Sequence, residues 1–552
     1  MAPRRSAAKR APAPVPATAP RTVKGRALWA LPSGAFDAAS SESRELKNWT
    51  PRLGDAISDS SGDLPTIRSR SRDAIRNLPI AAGAAQTTVM GVVGTGFSFH
   101  PRLDRALLQL SDAAAAERET RMSWLWTMWA GSISCDLQRR RTFASLTRQA
   151  VASAFSNGDV AIMRRMVKRD GDPFELRLQL IEADRIATPP ERSAEPRIVD
   201  GIEIDNVGAI VACHIANRHP HARYATEPVT FARVPVFGTS GDRLVLLLNG
   251  TAGEDRVGAV RGIPALATVI KTLKTLARYS DAELMRQLVA SLFTVFIKGA
   301  LGAGFANEEG AADPTAVALN NVKLGNGAVI GLRETEEVEF ATPPGPSGNF
   351  DPFTTAMLRE VGTAINIPYE VLVRHFTASF SASRAAIQLA WRAFEMMGQW
   401  VEDDFLQPVY EWFITDCVSG GLLDAPGFFD DPLIRRAWCN VAIAGPRPPQ
   451  IDPLKEASGA KVRMDALIST VQREQADMGY GDYDDNLAQQ AREARDRKRF
   501  GLDEERVAER IATEPVQPVP ADGADPAIDP AADPADALHE GSDSDLEVPA
   551  HA

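Results

Sequence analysis

The chain has 552 residues, 44% of them hydrophobic and 24% charged, which is enough for roughly two to four domains with a real buried core. Its net charge of −11 is unevenly spread: residues 1–26 carry seven Lys/Arg and no acid, residues 511–552 carry ten Asp/Glu and no Lys or Arg, and −8 remains for residues 27–510. That balance excludes a chain that is basic throughout, and four distant cysteines (Cys135, Cys213, Cys417, Cys439) without a CxxC exclude a zinc ribbon or a secreted disulfide framework, so a reducing compartment is expected.

Residues 1–40 are basic and rich in Ala and Pro, with no apolar core of a secretory signal, and are expected to be a disordered arm. From Arg44 the pattern turns helical, with Leu64, Ile67 and Ile75 apolar and Arg68, Arg70, Arg72 and Arg76 on the more polar positions. VMGVVGTGFSFH at 89–100 suggests a strand bent at its glycines. Trp124, Trp126 and Trp129 fall in helices within 123–154, and short β-like runs with turn signals follow between Asp159 and Ala216, including a hairpin turn at Asp205-Asn206. Residues 77–101 and 287–306 are too interrupted for a bilayer helix, so no membrane span is expected.

Pro264 opens a helical pattern reaching Lys298, with Lys271, Lys274 and Arg278 as a cationic stripe at i, i+3 and i+7. Unbroken, it would span roughly 50 Å. Residues 299–350 are rich in Gly, Pro and Asn, with one strand candidate, EEVEFAT. A short helix carrying LREVGTAI ends at the turn Asn366-Ile367-Pro368, and a long one follows the serine-rich stretch FTASFSASRAA, with Pro408 expected to kink it. GPRPPQIDP reads as a stiff linker, charged helices follow to about residue 510, and the acidic tail from 513 is expected to be disordered.

Catalytic signatures are scarce. There is no GxxxxGK[ST] phosphate loop and no GxSxG elbow, and VVGTGF has its glycines in the wrong order for a dinucleotide site. CHIANRHPH groups Cys213, His214, His219 and His221, yet lacks a helical i, i+4 His pair and reads as a strand and loop before it reads as zinc ligands. Ser379, Ser381 and Ser383 stand near His375 and Arg384, a superficial nucleophile and base with no third group to orient them. Ser381 or Ser383 is also a natural N-cap for the next helix. No catalytic residue, metal or cofactor is assigned.

In order, Trp49, LPTIRSRSRDAIRN, VVGTG, GDV at 158–160, IEADRI, GIEIDNVGAIVACHI with His219-Pro220, RGIP at 261–264, NIPYEVL, FSASRAA and IDPLKEA resemble the lambda-type family of tailed-phage portal proteins. Each is weak alone, but together they run over about residues 44–505. The chain differs from the usual pattern at VLLLNG (245–250), Cys213 and Ala382, which touches packing.

The resemblance implies an α+β portal fold with a mostly helical stem and crown, an α/β wing and a small clip. It implies a dodecameric ring at one capsid vertex of the virion, assembled in the host cytoplasm, through which double-stranded DNA is packaged and ejected. By that mapping the wing is 41–263, the first stem helix 264–298, the clip 299–350 and the second stem helix 351–372. A tunnel loop (373–383) follows, then a long helix with a return to the wing (384–450), crown helices (451–510) and the acidic tail (511–552). The tunnel loop would present His375, Phe376, Thr377, Ser379, Phe380, Ser381 and Ser383 to weakly and sequence-independently held DNA, with Arg384 buried or paired at the helix start. Expected partners are further copies of the chain, the terminase large subunit, head completion or adaptor proteins, and a major capsid or scaffold protein. A neck or baseplate ring without a DNA channel, and a serine hydrolase using the 379–383 loop, are the competing readings.

Overall fold

The computed structural model describes residues 38, 43–51, 53–224, 226–239, 241–250, 256–291, 295–299, 336–340, 350–377, 379–448, 452–481 and 483–500, with the backbone alone at 295–299 and 336–340. The expectations for the N-terminal arm, most of the clip and the acidic tail lie outside these residues. The chain divides into two compact units, one ending at Ile451 and the other beginning at Asp452.

The first unit is α+β. It opens with α1 (Ala56–Ser60), α2 (Leu64–Asn77) and α3 (Pro79–Val92), then β1 (Ser98–Pro101), α4 (Asp112–Gly131) and α5 (Phe143–Asn157). β2 (Asp159–Met166), β3 (Leu176–Glu182), β4 (Ile198–Val199), β5 (Ile202–Ile204), β6 (Ile210–Ala216), β7 (Phe231–Pro235) and β8 (Val245–Asn249) form two antiparallel sheets ordered β3-β2-β8 and β4-β5-β6-β7. The predicted turn at Asp205-Asn206 joins β5 to β6, and the Asp205 carboxylate accepts the amides of Val207 and Ala209. Then come α6 (Ile270–Ser291), the antiparallel pair β9 (Val295–Gly299) and β10 (Glu336–Phe340), α7 (Phe350–Ala364), α8 (Tyr369–Val373), α9 (Phe380–Val401), a π-helical turn (Glu402–Leu406), α10 (Gln407–Ser419), α11 (Pro432–Trp438) and β11 (Val441–Ala444).

Two cores hold this unit. The larger is aromatic: Phe99, Trp126, Trp129, Phe143, Tyr410 and Phe413 pack with ring centroids 4.1–6.3 Å apart, drawing β1, α4, α5 and α10 together. The smaller lies between the sheets, around Met163, Ile181, Ile202, Cys213, Ile215, Val236 and Val245. All four cysteines are buried free thiols, and burial pushes Cys135, Cys213 and Cys439 up to about 12.

Two local expectations change, and a third gains a local cause. Residues 89–92 close α3 instead of opening a strand. A Cβ on Gly91 would stand 2.4 Å from Cδ2 of Phe394, so this glycine serves helix packing, while Gly94 (φ +51°) and Gly96 (φ +131°) turn the chain into β1. The helix expected from Pro264 to Lys298 occupies only Ile270–Ser291: 264–269 are turns, and the β-branched and aromatic VFIKG pairs with EEVEF. Pro408 lies just past the π turn, where Gln407 N–H reaches back to Glu402 C=O; the widened turn accommodates a proline that has no N–H to give.

The second unit holds α12 (Pro453–Asp465), α13 (Val471–Met478) and α14 (Tyr483–Arg499). Asp452 caps α12 by accepting the Lys455 amide at 3.2 Å with Pro453 at the first helical position, and Arg463 grips Glu474 at 2.6 and 2.9 Å. No helix of the described residues is long and apolar enough to cross a membrane.

Candidate functional site: a buried ionic clamp and the α8–α9 loop

Four of the dispersed motifs meet at one point. α2 buries Leu64, Arg68, Ser71 and Ala74 as one stripe, so Arg68 enters the interior instead of occupying a polar face. Its Nη2 donates to Asp159 Oδ2 at 2.9 Å and its Nε to Asn157 C=O at 2.8 Å. From the far side Arg261 donates to both Asp159 oxygens, at 2.6 and 3.0 Å, and to the carbonyls of Ala183, Ile186 and Asp200. All three charged side chains are at most 5% exposed. Burial pulls the Arg68 guanidinium down; against the same burial, the charge and hydrogen bonds of Asp159 hold Arg261 up.

The glycines beside these residues make the approach feasible. Gly158 has φ +90°, and a Cβ there would lie 2.2 Å from Gly262 C=O; one on Gly262 would lie 1.9 Å from Gly158 C=O. Hence GD at 158–159 and RG at 261–262 dock backbone to backbone, and Asp159 Oδ2 also accepts the Gly262 amide at 3.3 Å. The clamp fixes where the chain leaves the β3-β2-β8 sheet for α6, nine residues beyond Arg261.

One turn further along α2, Arg72 bonds Asp184 Oδ2 at 2.5 Å and Glu182 Oε1 at 3.2 Å, and His219 Nε2 lies 3.2 Å from Asp184 Oδ2. Burial would raise the Asp184 carboxyl, but the Arg72 hydrogen bond and charge hold it below its usual value. Glu182, Asp184 and His219 have their ligand atoms within 4.8 Å of one another, the spacing of a cation site. The Arg72 guanidinium is already seated as a cation against both carboxylates there. Of the CHIANRHPH residues, Cys213 and His214 are buried in β6 and His214 lies 3.3 Å from Glu203, while His219 and His221 sit in the following loop, so the four do not form one ligand set.

The serine-rich stretch lies elsewhere in the unit. Asn366 (φ +56°) ends α7, Ile367 N–H returns to Gly362 C=O at 2.9 Å, and Pro368 leads into the short α8, which Arg374 (φ +56°) closes. His375, Phe376, Thr377 and Ser379 follow in an exposed connection, and α9 starts at Phe380. Ser379 is the N-cap, accepting the Ala382 amide at 3.4 Å, so the cap falls earlier than Ser381 or Ser383. Phe380, Ser381 and Ser383 belong to the first turn of α9, with Phe380 58% exposed and Arg384 half-buried behind them. The non-helical part is therefore shorter than 373–383, and a helix separates it from α7. Lys271, Lys274 and Arg278 are all exposed along α6, as a stripe on one face. The geometry does not bring them to the serine loop or the clamp through any hydrogen bond among the described residues.

Sequence reasoning named the segments of the clamp but not its chemistry. The signal was available: Arg68 falls four residues after Leu64 and six before Ala74, on the apolar repeat of α2.

The model of the family "Phage portal protein, lambda family" matches residues 42–397. Portal protein B of Escherichia phage lambda is 22% identical over 492 residues, 85% of this chain and 91% of the relative. The portal protein of Escherichia phage N15 is 22% identical over 479 residues, covering 83% and 89%, and the probable portal protein of Halomonas phage phiHAP-1 is 23% identical over 473, covering 84% and 86%. Among solved structures, a chain from the neck of a native gene transfer agent particle computed with C12 symmetry aligns with TM-score 0.43 and 10% identity over 76% of this chain and 94% of that one. With the family match spanning well over half the sequence and containing every residue of the clamp, the chain belongs to the lambda family of phage portal proteins.

Proposed function

We propose that the chain assembles as a dodecameric ring at one capsid vertex of a virion and forms the channel through which double-stranded DNA enters during packaging and leaves during ejection. The family match over residues 42–397 carries this reading. The family is structural, which fits a chain without a phosphate loop: the packaging motor is a separate terminase whose large subunit docks on the clip, residues 299–350, later replaced by head completion or adaptor proteins. Residues 41–263 serve as the wing, α6 and α7 as stem helices, and α12 to α14 as the crown. Major capsid or scaffold protein is the remaining partner, and assembly takes place in the host cytoplasm.

In this reading the connection from His375 to Ser383 lines the channel. A duplex must slide past it, and six to ten phosphate contacts are enough to make affinity vary by about 10³ to 10⁵ between 50 and 200 mM salt. Exposed His375, Phe376, Thr377, Ser379, Phe380 and Ser381 supply hydroxyls and aromatic edges instead of a cationic collar, with Arg374 confined to the end of α8. Electron microscopy of the purified protein, averaged down the symmetry axis, should show about a dozen subunits around a hole wide enough for duplex DNA. Ser379→Lys with Ser381→Lys should slow packaging while leaving the ring intact; normal packaging by that ring would reject the channel mapping.

A further inference from the structure

A cluster of cations outside the clamp and the α8–α9 loop has no acidic partner among the described residues: its side chains donate to neutral groups, Arg165 Nε to Gln179 Oε1 at 3.0 Å and Arg141 Nη1 to Ser145 Oγ at 3.3 Å. The β2–β3 hairpin carries Arg165 and Lys168, and the segment between α4 and α5 carries Arg139, Arg140 and Arg141; all five are exposed. None is in an ion pair among the described residues, although exposed arginines elsewhere, such as Arg105, Arg233 and Arg256, are paired.

The two segments are tied together. Arg169 at the hairpin donates to the carbonyls of Ser134 and Leu137 at 3.2 and 2.8 Å, Leu137 N–H donates to Leu178 C=O at 2.9 Å, and Ser134 Oγ bonds Asp172. The triple-arginine turn is also preset. Buried Asp136 accepts the amides of Gln138 and Arg140 at 2.9 and 3.0 Å, so its charge is engaged with backbone N–H groups and not with the arginine side chains. Arg139 is held at φ +54°. Two exposed acids, Asp170 and Glu175, share the hairpin, leaving a clear cationic excess.

We propose that this wing surface binds the phosphate backbone of double-stranded DNA, at a site separate from the channel connection. Four of the five groups are arginines, whose planar fork takes two phosphate oxygens at once. Arg139–Arg141 lie beyond the edge of β3 and Arg165 on the strand past it, so the patch extends over about two strand spacings, roughly 10 Å. Duplex DNA offers one charge per about 1.7 Å of axis, hence about six phosphates over that width. The chain's own acidic tail is the competing occupant: its ten acids over residues 511–552 spread along about 140 Å of extended chain, several-fold sparser than DNA. Charge density therefore favours the duplex.

The test is titration of the full chain with a fluorescent random-sequence 30-base-pair duplex between 50 and 200 mM salt, read by anisotropy. If all five cations engage, affinity of the native chain should fall about 500-fold across that range, from a slope of about 0.9 per phosphate contact. The variant R139Q/R140Q/R141Q/R165Q/K168Q should lose that binding and its salt slope, with an unchanged circular dichroism spectrum and melting temperature. R139K/R140K/R141K/R165K should retain most of the slope, which separates charge from fold. K271Q/K274Q/R278Q should bind as the native chain does. No binding by the native chain at 50 mM salt, an unchanged slope in the five-site Gln variant, or loss in the α6 variant instead would each overturn the proposal. So would a carbodiimide cross-link from Lys168 to an acid in 511–552 that excess duplex fails to suppress. Ring formation seen by microscopy is independent of all these outcomes, so failure here leaves the portal reading standing.

Discussion

Asp159 is the residue on which the interior charge of this protein turns. It is fully buried between two guanidiniums that are themselves buried, and removing it leaves two like charges in a low-dielectric site with only carbonyls to face. Asp159→Ala should destabilise the first unit by about 3–5 kcal/mol, measured by urea denaturation. If that variant fails to fold, Arg68→Lys gives a milder reading, since it keeps the charge but cannot serve Asp159 and Asn157 C=O with the same fork. Arg72 and Asp184 are more exposed, and their contribution shows in acid. Because the folded Asp184 carboxyl is held below its ordinary value, its stabilisation is present above the unfolded value of 3.8 and is lost as pH falls below it. Arg72→Ala should therefore flatten the loss of stability below about pH 4, by comparison of native and variant denaturation midpoints against pH. His219, on the same carboxylate, was legible only as part of a motif; its contact with Asp184 needs β3 and the loop after β6 to converge.

At the scale of elements, caps and turns were open to sequence reasoning where they are local. Asp452-Pro453 starts α12, and Asn366-Ile367-Pro368 separates α7 from α8, because side-chain capping, αL tolerance and the fixed φ of proline act within a few residues. Ser379 against Ser381 or Ser383 was not decidable, since each hydroxyl lies within reach of helix-start amides and only the backbone path out of α8 selects one. Ser379→Ala should cost about 1 kcal/mol, with increased hydrogen exchange confined to the first turn of α9. The approach of Gly158 to Gly262 is a stricter demand. Gly158→Ala adds a Cβ 2.2 Å from a carbonyl oxygen at φ +90°, so the backbone must shift, and strain alone should cost about 1–3 kcal/mol. Loss of thermal stability together with a slackened start of α6 in hydrogen exchange would identify this contact as the link between the β3-β2-β8 sheet and α6.

For the molecule as a whole, portal-family membership was readable from the sequence because its motifs mark contact points in a shared fold, and their order survives when overall identity has dropped to 22%. Helices α2 and α9 followed from apolar periodicity, helices within 123–154 were expected although α4 already begins at Asp112, and the β5–β6 hairpin followed from its turn residues, since these are properties of short windows. What the tertiary structure decided was everything that depends on a partner far along the chain. Residues 89–92 are helical because Gly91 packs on Phe394, and 295–299 form a strand because residues 336–340 lie beside them. Arg68 is interior because Asp159, Asn157 and Arg261 gather around it, and the exposed arginines of the β2–β3 hairpin and the α4–α5 segment lie near one another because Arg169 ties the two segments together. Local pattern fixes which conformations a segment can adopt; burial, and with it the meaning of each charge, is settled only when distant segments meet.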